Sequence, residues 1–326
     1  MQILRTFKAR LAAAMLCGFA AVPFALHAQD FPTQPVKLVV PFPPGGTTDI
    51  LARQLATELQ QRWGKPVLVE NRSGASGTIF SEQLAHMPAD GHTLMLTATH
   101  HVINPALYKN LKYDTRADFT PIALVATVPN VLVVHPSFPA RSVAELIALA
   151  KAQPGRLNFG SSGTGGANHL SGELFKSMAG VTMVHVPYKG AAPALNDTIA
   201  GHAQLMFPSL FSGAPQVKNG KLRALAVAGP KRLSTMPDVP TLKELGVDVD
   251  VSQWYALFAP ARTPAPVIEK LNKALVQVLA DPDIIKRIET DGADARSSTP
   301  AELAALVKAD LAKWKGVVQK AGLSAD

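Results

Sequence analysis

Apolar and polar positions alternate with two different periods along the first third of the chain. Short apolar runs that fit buried strands are separated by segments whose leucines recur every three or four residues, as on one face of a helix. The pattern predicts strands at Lys37–Val40, Val67–Glu70 and Thr93–Thr97 and helices at Thr48–Trp63 and Thr78–Met87. Because this order is βαβαβ, we expect a parallel sheet with helices on its faces and the strand-to-helix turns at its carboxyl edge.

A long apolar stretch, Ile122–His135, separates this series from a second one. Pro129 and Asn130 interrupt the stretch, and it is long for one strand, so it could carry the chain from one domain to another. The second series alternates in the same way. It predicts a capped helix at Ser142–Ala152, strands at Leu157–Phe159, Met183–Val186, Gln204–Phe207 and Leu222–Val227, and helices at His169–Ala179 and Pro193–Ala200.

The remaining segments lead the chain back to the first series. Thr241 and Glu244 have the spacing of a capping box on a short helix, and Trp254–Ala259 fits a second crossing strand. Amphipathic segments then predict helices at Pro266–Leu279, Asp283–Thr290 and from Pro300 to about Lys320. The prediction is an α/β protein of two lobes, which 326 residues allow. Residues 29–130 and 254–326 would form lobe I, and residues 131–253 would form lobe II.

The first residues have the pattern of a secretory signal peptide. Basic residues precede an apolar segment, Leu11–Ala21, that is too short to span a bilayer. Residues 1–28 are therefore predicted to be removed by cleavage after Ala28, with a cut after Ala25 as the alternative. The one cysteine, Cys17, lies in this segment, so the mature chain has no disulfide and no thiol chemistry. We expect an exported, soluble protein in the periplasm.

The charge and composition of the chain mainly exclude certain classes of partner. The chain has 32 basic and 24 acidic residues, a formal net charge of +8, and its basic residues are scattered. Aromatic residues are 6% of the chain, and none alternate with lysine or arginine as on a nucleic-acid stacking surface. We therefore expect no nucleic-acid partner, and no later segment is apolar enough for membrane insertion. A mildly positive surface would help to steer small anions.

Two glycine-rich turns carry the candidate chemistry. Residues 38–49 read LVVPFPPGGTTD and residues 157–169 read LNFGSSGTGGANH, and in each a strand-like run ends just before a predicted helix. The first turn of a helix has unpaired N–H groups and about half a positive charge, which attract phosphate, sulfate or carboxylate. Either turn alone is typical of a tight connection. Two of them, one in each lobe, predict a cleft that binds an anion from both sides.

Other side chains near these turns have predicted roles. Thr47 or Thr48 would cap the first helix, and Asp49 in its first turn would support the loop rather than contact the ligand. A third turn of similar composition, Asn71–Thr78, contains Ser76. The residues at the end of the third predicted strand, on the same sheet edge, are Thr97, Thr99 and His100.

A hydrolase is the alternative interpretation. Ser162 and His169, with some aspartate, could form a catalytic triad, although the turn lacks the fifth-position glycine of the G-x-S-x-G motif. His169 would otherwise be either a ligand contact or a hydrogen-bonded structural residue. His100 and His101 are adjacent, so on a strand they would point to opposite faces and make poor ligands for one metal. We expect no metal and no cofactor.

Several motifs in fixed order resemble a known family. PFPPGGTTD, VENRSGASGT, ADGHTL, NFGSSGTGGANHL, HVPYKG and WYALFAPARTPAPVIEKLN occur here as in the Bug family of solute receptors. That family is related to the binding component of tripartite tricarboxylate transporters. The resemblance covers about residues 31–323. It implies a two-lobed periplasmic binding protein of the type II fold, with a hinge, a cleft between the lobes and a small carboxylate as ligand.

The resemblance also assigns residues to the cleft. The ligand carboxylate would be held by backbone N–H groups of the two loops, often through ordered waters. The first loop is Pro44, Gly45, Gly46, Thr47, Thr48 and Asp49, and the second is Ser161, Ser162, Gly163, Thr164, Gly165 and His169. Tyr188 would either donate a hydrogen bond into the cleft or act as a wedge beside the hinge. Further candidates for the lining are Phe207, Pro208 and Trp254, the last of which fits core packing equally well.

The sequence departs from the family pattern at three positions. Gly166 stands where the second loop usually has serine, and Gln204 and Pro208 stand where a strand usually has aspartate. An aspartate that faces the cleft can bind an amine, so its absence favours a plain or aromatic carboxylate over an amino acid. The resulting hypothesis is a monomeric receptor that closes on a carboxylate without chemistry. It would present the ligand to a membrane permease or to a sensor.

Overall fold

A computed structural model describes the chain at residues 31–233, 235–249, 251–290, 292–320 and 322–324. Pro32–Asp326 forms one compact unit. The predicted signal peptide, residues 1–28, lies outside the described residues.

The strands of the described residues form one mixed sheet of ten strands. In chain order they are β1 (Val36–Val40), β2 (Val67–Asn71), β3 (Thr93–Ala98), β4 (Phe119–Val134), β5 (Asn158–Ser161), β6 (Val184–Pro187), β7 (Leu205–Met206), β8 (Arg223–Ala228), β9 (Ser252–Pro260) and β10 (Asp294–Ala295). Their order across the sheet is β2-β1-β3-β9-β4-β7-β5-β6, and β8 and β10 also pair with β4. The first three strands are parallel to one another, as the βαβαβ pattern predicts, and so are β5, β6 and β7.

Two long antiparallel strands connect the two groups of parallel strands. We call the group of β1, β2 and β3 the first half of the sheet and the group of β5, β6 and β7 the second half. β4 is 16 residues long and pairs with β9 over residues 119–129 and with β8 over residues 130–134. The long apolar stretch is therefore a single strand shared by both halves. β9 is antiparallel to β3 as well as to β4, so it is the second crossing that the sequence predicts. The lobe limits at residues 130 and 254 stay predictions.

The helices occupy most of the segments that the amphipathic pattern predicts. They are α1 (Thr47–Trp63), α2 (Thr78–Ala85), α3 (His100–Leu107), α4 (Val143–Ala152), α5 (Ala167–Ala179), α6 (Ala191–Ile199), α7 (Leu210–Lys218), α8 (Ala265–Leu279), α9 (Pro282–Thr290) and α10 (Pro300–Lys320), with a short 3-10 helix at Ala75–Gly77. α1 ends at Gly64, whose left-handed backbone supplies the expected stop. The capping box of α10 also forms, because Thr299 and Glu302 each accept the other's backbone N–H.

The predicted short helix at Thr241 is wrong. The Oγ1 of Thr241 accepts the N–H of Glu244 at 3.1 Å, as in a helix cap, but the segment is a series of turns. Gly246 has a φ of 80°, a left-handed backbone that ends the helical course within one turn.

His100 follows the end of β3 at Ala98, as predicted, but His100 and His101 do not lie on a strand, the case in which the sequence interpretation would have them point to opposite faces. They open α3, and both are buried. Its N-cap residue, Thr99, makes no side-chain cap hydrogen bond, and the helix contains Pro105, which in a sequence normally argues against a continuous helix. His101 packs between Phe119 and Phe258, with ring centroids 4.9 and 4.5 Å away.

Candidate functional site

The first glycine-rich loop is shaped by Gly45 and supported by Asp49. Gly45 has a φ of 83°, and its N–H donates to Oδ2 of Asp49 at 3.0 Å. Asp49 is only 4% exposed and also pairs with Arg53 at 3.0 Å. Burial by itself would raise the pKa of Asp49. The hydrogen bonds from Arg53 and Gly45 outweigh burial and hold this pKa below its usual value.

The first turn of α1 has no side-chain cap. Its N-cap residue is Gly46, so the prediction that Thr47 or Thr48 caps the helix is wrong, because both lie inside it. The hydroxyl of Thr47 lies instead 2.9 Å from that of Ser209, the N-cap residue of α7. Gly46 offers no side-chain acceptor to the first N–H groups of α1, which therefore suit an anion.

The second glycine-rich loop is supported by a hydrogen bond to His169. Gly163 and Gly165 have φ values of 120° and 79°. The N–H of Gly165 donates to Nδ1 of His169 at 3.0 Å, and Nε2 of His169 faces Glu173 at 3.6 Å. This hydrogen bond fits the structural role, one of the two predicted for His169. A Cβ on Gly165 would lie 1.7 Å from Leu107, so this loop packs directly on α3.

A second histidine supports the same loop. The ring of His185 stacks on His169 with centroids 3.7 Å apart, and its Nε2 lies 2.6 Å from Oγ of Ser161. Burial lowers the pKa of His185 to about 4, so the ring is neutral at neutral pH. Burial would raise the pKa of Glu173, but hydrogen bonds from His169 and Lys176 hold it below its usual value.

The serine hydrolase geometry is not formed. The Oγ of Ser162 donates to Oδ1 of Asn168 at 2.8 Å, and the amide of Asn168 donates to the carbonyl of Phe207 at 2.7 Å. A serine nucleophile needs an imidazole within hydrogen-bond reach to take its proton. Ser162 is engaged with an amide instead, and His169 is engaged with the loop backbone.

The third turn touches the second loop. Ala75 and Ser76 have φ values of 44° and 54°, which are unusual for residues with side chains. The Oγ of Ser76 donates to the carbonyl of Thr164 at 3.4 Å, and the carbonyl of Ser76 accepts from Nδ2 of Asn104 at 3.0 Å. The third turn is therefore fixed between α3 and the second loop.

The three turns surround one cavity of about 420 Å³. The predicted site residues that line it are Pro44, Gly46, Thr47, Thr48, Ser76, His100, Ser162, Gly163 and Tyr188. The predicted loop residues outside the lining are Gly45, Asp49, Ser161, Thr164, Gly165 and His169. The predicted residues that are buried away from the cavity are Thr97, Thr99 and Phe207.

Two lining residues on β9 are absent from the sequence interpretation. Gln253 and Tyr255 line the cavity, whereas Trp254 between them donates from Nε1 to Asp310 at 2.7 Å. Tyr255 donates to Oε1 of Gln253 at 3.1 Å, and Nε2 of Gln253 donates to Oδ1 of Asn130 at 2.8 Å. Neighbouring strand residues point to opposite faces, which explains why Trp254 packs in the core instead.

Two rings with different roles flank the cavity. His100 is 7% exposed and packs on Phe42, with ring centroids 5.0 Å apart. Burial lowers the pKa of His100 to about 4. The ring of Tyr188 lines the cavity, but its hydroxyl donates to Asp197 at 2.5 Å, so the predicted donor to the cleft is used elsewhere. Burial and the Asp197 carboxylate raise the pKa of Tyr188 to about 12.

The lining of the cavity contains few charged residues. Among the described residues that line it, none is aspartate or glutamate, and Lys189 is the one lysine or arginine. Over the described part of the chain, no three His, Cys, Asp or Glu side chains are grouped to hold a metal ion. None of the described helices is long and apolar enough to cross a membrane.

Comparison with known proteins places the chain in a family. A family model described as "Tripartite tricarboxylate transporter family receptor" matches residues 51–323. The chain belongs to this family. The solved structure of the periplasmic binding protein BugD is 37% identical to it, with a TM-score of 0.85, over 90% of this chain and 99% of that chain. The resemblance to the Bug family is thereby confirmed.

Two further solved structures of this fold hold ligands. One is R. palustris Rpa4515 with adipate, 38% identical with a TM-score of 0.88, over 90% of this chain and 99% of that one. The other is MatC (Rpa3494) from Rhodopseudomonas palustris with bound malate, 34% identical with a TM-score of 0.83, over 88% and 100%. The predicted α/β binding-protein fold is confirmed. The family is one of solute receptors, so the prediction that the chain is not an enzyme is confirmed as well.

Proposed function

We propose that this receptor captures a small carboxylate between its two glycine-rich loops and presents it to a membrane permease or a sensor. The observation that carries the proposal is the shared cavity: the uncapped start of α1 borders it together with Ser162 and Gly163 of the second loop. The N-cap of α5, Gly166, also lacks a side-chain cap. Backbone N–H groups from both sides would therefore bind one carboxylate through charge-assisted hydrogen bonds.

The charges of the lining support an anionic ligand. Since the described lining contains no aspartate or glutamate, no carboxylate is placed to pair with a ligand amine. Gln204 and Pro208 lie outside the lining, and Oε1 of Gln204 accepts the N–H of Asn158 at 2.8 Å. An amino acid is thus disfavoured by the composition of the lining rather than by the residues at those two positions. Lys189 would pair with a second carboxylate near the mouth.

The size and the apolar residues of the cavity support a ligand that is partly apolar. Its volume of about 420 Å³ lies within the range of small-molecule sites. Apolar residues such as Pro41, Pro43, Ala191, Ala192 and Pro193 line the cavity together with the polar ones. The related structures with adipate and malate hold small dicarboxylates. We therefore assign a dicarboxylate or tricarboxylate, or an aromatic acid, as the ligand class.

Capture would proceed by closure of the two lobes about β4 and β9. Hydrogen bonds of Ser76 with Thr164 and of Thr47 with Ser209 join residues that are far apart in the chain, on either side of the cavity. Closure would exclude water and strengthen each bond to the carboxylate. A signal peptide at residues 1–28 would deliver the receptor to the periplasm, where it would act as a monomer.

A thermal-shift panel on the mature protein tests this function. Adipate, malate, citrate and benzoate are each compared with the corresponding neutral amide, and stabilising compounds are then titrated by calorimetry. A ligand that binds only the native state raises the melting temperature by mass action, by roughly 3–8 °C at a hundredfold excess over Kd. We expect at least one acid to do so while its amide does not. Stabilisation by amines or sugars, without any by acids, would contradict the proposal.

A further inference from the structure

His100 and Gly166 compete for one space at the edge of the cavity. A Cβ built on Gly166 would lie 3.0 Å from Nε2 of His100 and 2.5 Å from Oγ of Ser162. Both distances are shorter than normal packing allows, so a side chain at position 166 must displace a neighbour. The backbone does not require glycine there, because Gly166 has a φ of −66°. The imidazole and the hydroxyl beside it are what exclude a side chain.

The imidazole of His100 is arranged to donate from Nε2. Nδ1 of His100 is buried and has no hydrogen-bond partner among the described residues. A buried N–H without a partner is rarer than an unused lone pair, so the proton belongs on Nε2. His100 is more than nine-tenths buried and lines the cavity, and burial keeps the ring neutral.

We propose that His100 is a specificity-determining residue whose Nε2–H donates to the ligand carboxylate beside the second loop. The inference depends on the proposed function, since it requires a carboxylate in the cavity. A serine hydroxyl at position 166 would both donate and accept, whereas this imidazole can only donate toward the ligand. The subsite would therefore accept a carboxylate oxygen and reject a carboxamide N–H or an ammonium group.

Two substitutions at position 100 separate donation from space filling. His100→Gln keeps an amide donor near the place of Nε2, and His100→Leu keeps much of the volume without a donor. With adipate and malate as probes in calorimetry, we expect His100→Leu to weaken binding by about 10- to 100-fold. His100→Gln should remain within about fivefold of the wild type. Equal affinities for the wild type and His100→Leu would overturn the donor role.

A substitution of Gly166 tests independently whether a side chain at position 166 would occupy the same space as His100. We expect Gly166→Ser to weaken adipate binding at least about tenfold, since its Cβ would displace His100 or Ser162. In a His100→Ala background, Gly166→Ser should weaken adipate binding by less than it does in the wild type, because the donor that it would displace is already absent. Wild-type affinity in Gly166→Ser would overturn the competition for space.

The tautomer provides a readout that does not depend on variants. In the adipate-bound wild type, long-range ¹⁵N–¹H spectra of the histidine rings should show His100 protonated at Nε2, and protonation at Nδ1 would overturn the inference. If the wild type binds adipate and His100→Leu binds it equally well, this inference alone is refuted. If no carboxylate of the panel bound the wild type, the proposed function would fail as well.

Discussion

The hydroxyl of Thr47 lies 2.9 Å from the hydroxyl of Ser209, although 162 positions separate them in the chain. Both residues are buried, and both line the cavity. Thr47 opens α1 in the first half of the fold, and Ser209 precedes α7 in the second. The bond therefore joins the two sides of the cavity directly, and we expect it to stabilise the arrangement in which they are together.

Removal of this bond should weaken ligand binding. Thr47→Val preserves the shape of the side chain but deletes the hydroxyl, and Ser209 keeps its contact with Ser212 at 3.1 Å. One neutral hydrogen bond contributes about 1 kcal/mol, so the Kd for adipate should rise about fivefold. Calorimetry measures this change, and Thr47→Ser, which keeps a hydroxyl, is the matched control. Identical affinities for the valine and serine variants would contradict the expectation.

Asp49 should stabilise the fold only while it is ionised. Its pKa is held below the usual value, so its contribution is fully present above about pH 4 and is lost as the pH falls through the lowered folded-state pKa. Asp49→Asn should lower the melting temperature by roughly 3–6 °C at pH 7, because Gly45 and Arg53 lose a charged acceptor. Melting curves from pH 7 to pH 3 should show the gap between wild type and variant narrowing in acid. Asp248→Asn, at an exposed position, serves as the control.

The buried histidines should make the fold less stable as the pH falls below about 6.5. Burial lowers the pKa of His101 to about 3 and that of His100 and His185 to about 4. Between these values and the ordinary value of 6.5, the unfolded chain binds protons that the folded chain does not, so the free energy of unfolding decreases. His101→Leu should reduce the slope of the free energy of unfolding against pH by up to about 1.4 kcal/mol per pH unit.

Urea unfolding at pH 8, 7, 6 and 5 measures the slope. At pH 8 the histidines of the unfolded chain bind almost no protons in either protein. The difference in stability at pH 8 therefore measures the effect of His101→Leu on packing alone. Parallel curves for the wild type and the variant at all four pH values would show that His101 takes no part in the pH dependence.

The sequence predicts the loops well because their signals are local. Glycines at positive φ, such as Gly45 and Gly163, stand between a strand and a helix, and both borders are visible in the hydrophobic pattern. The two crossing strands are likewise apparent from their length and apolar character. These features locate the cavity without knowledge of any contact between distant residues.

The sequence does not predict the groups that reach the cavity through tertiary packing. In β9, large side chains occupy both faces, so no alternation distinguishes Gln253 and Tyr255 from Trp254. His169 has the position of a ligand contact at a helix start, yet it bonds to Gly165 behind the loop. The direction in which such a side chain points depends on neighbours from other elements, which no local pattern records.

Position 46 offers the most direct test of the central claim, that the uncapped start of α1 binds the ligand carboxylate. Gly46 has a φ of −83°, and a Cβ there would meet no atom closer than 3.9 Å, so a side chain fits. Asp and Asn are both favourable N-cap residues, and they differ here mainly in charge.

The measurement is calorimetric titration of Gly46→Asp and Gly46→Asn with the acid that binds the wild type most tightly. The aspartate would place its own carboxylate at the anion position, so we predict that Gly46→Asp binds at least about 100-fold more weakly than Gly46→Asn. Melting temperatures at or above that of the wild type would show that both variants fold. Equal affinity of the aspartate and asparagine variants for the acid would contradict the account.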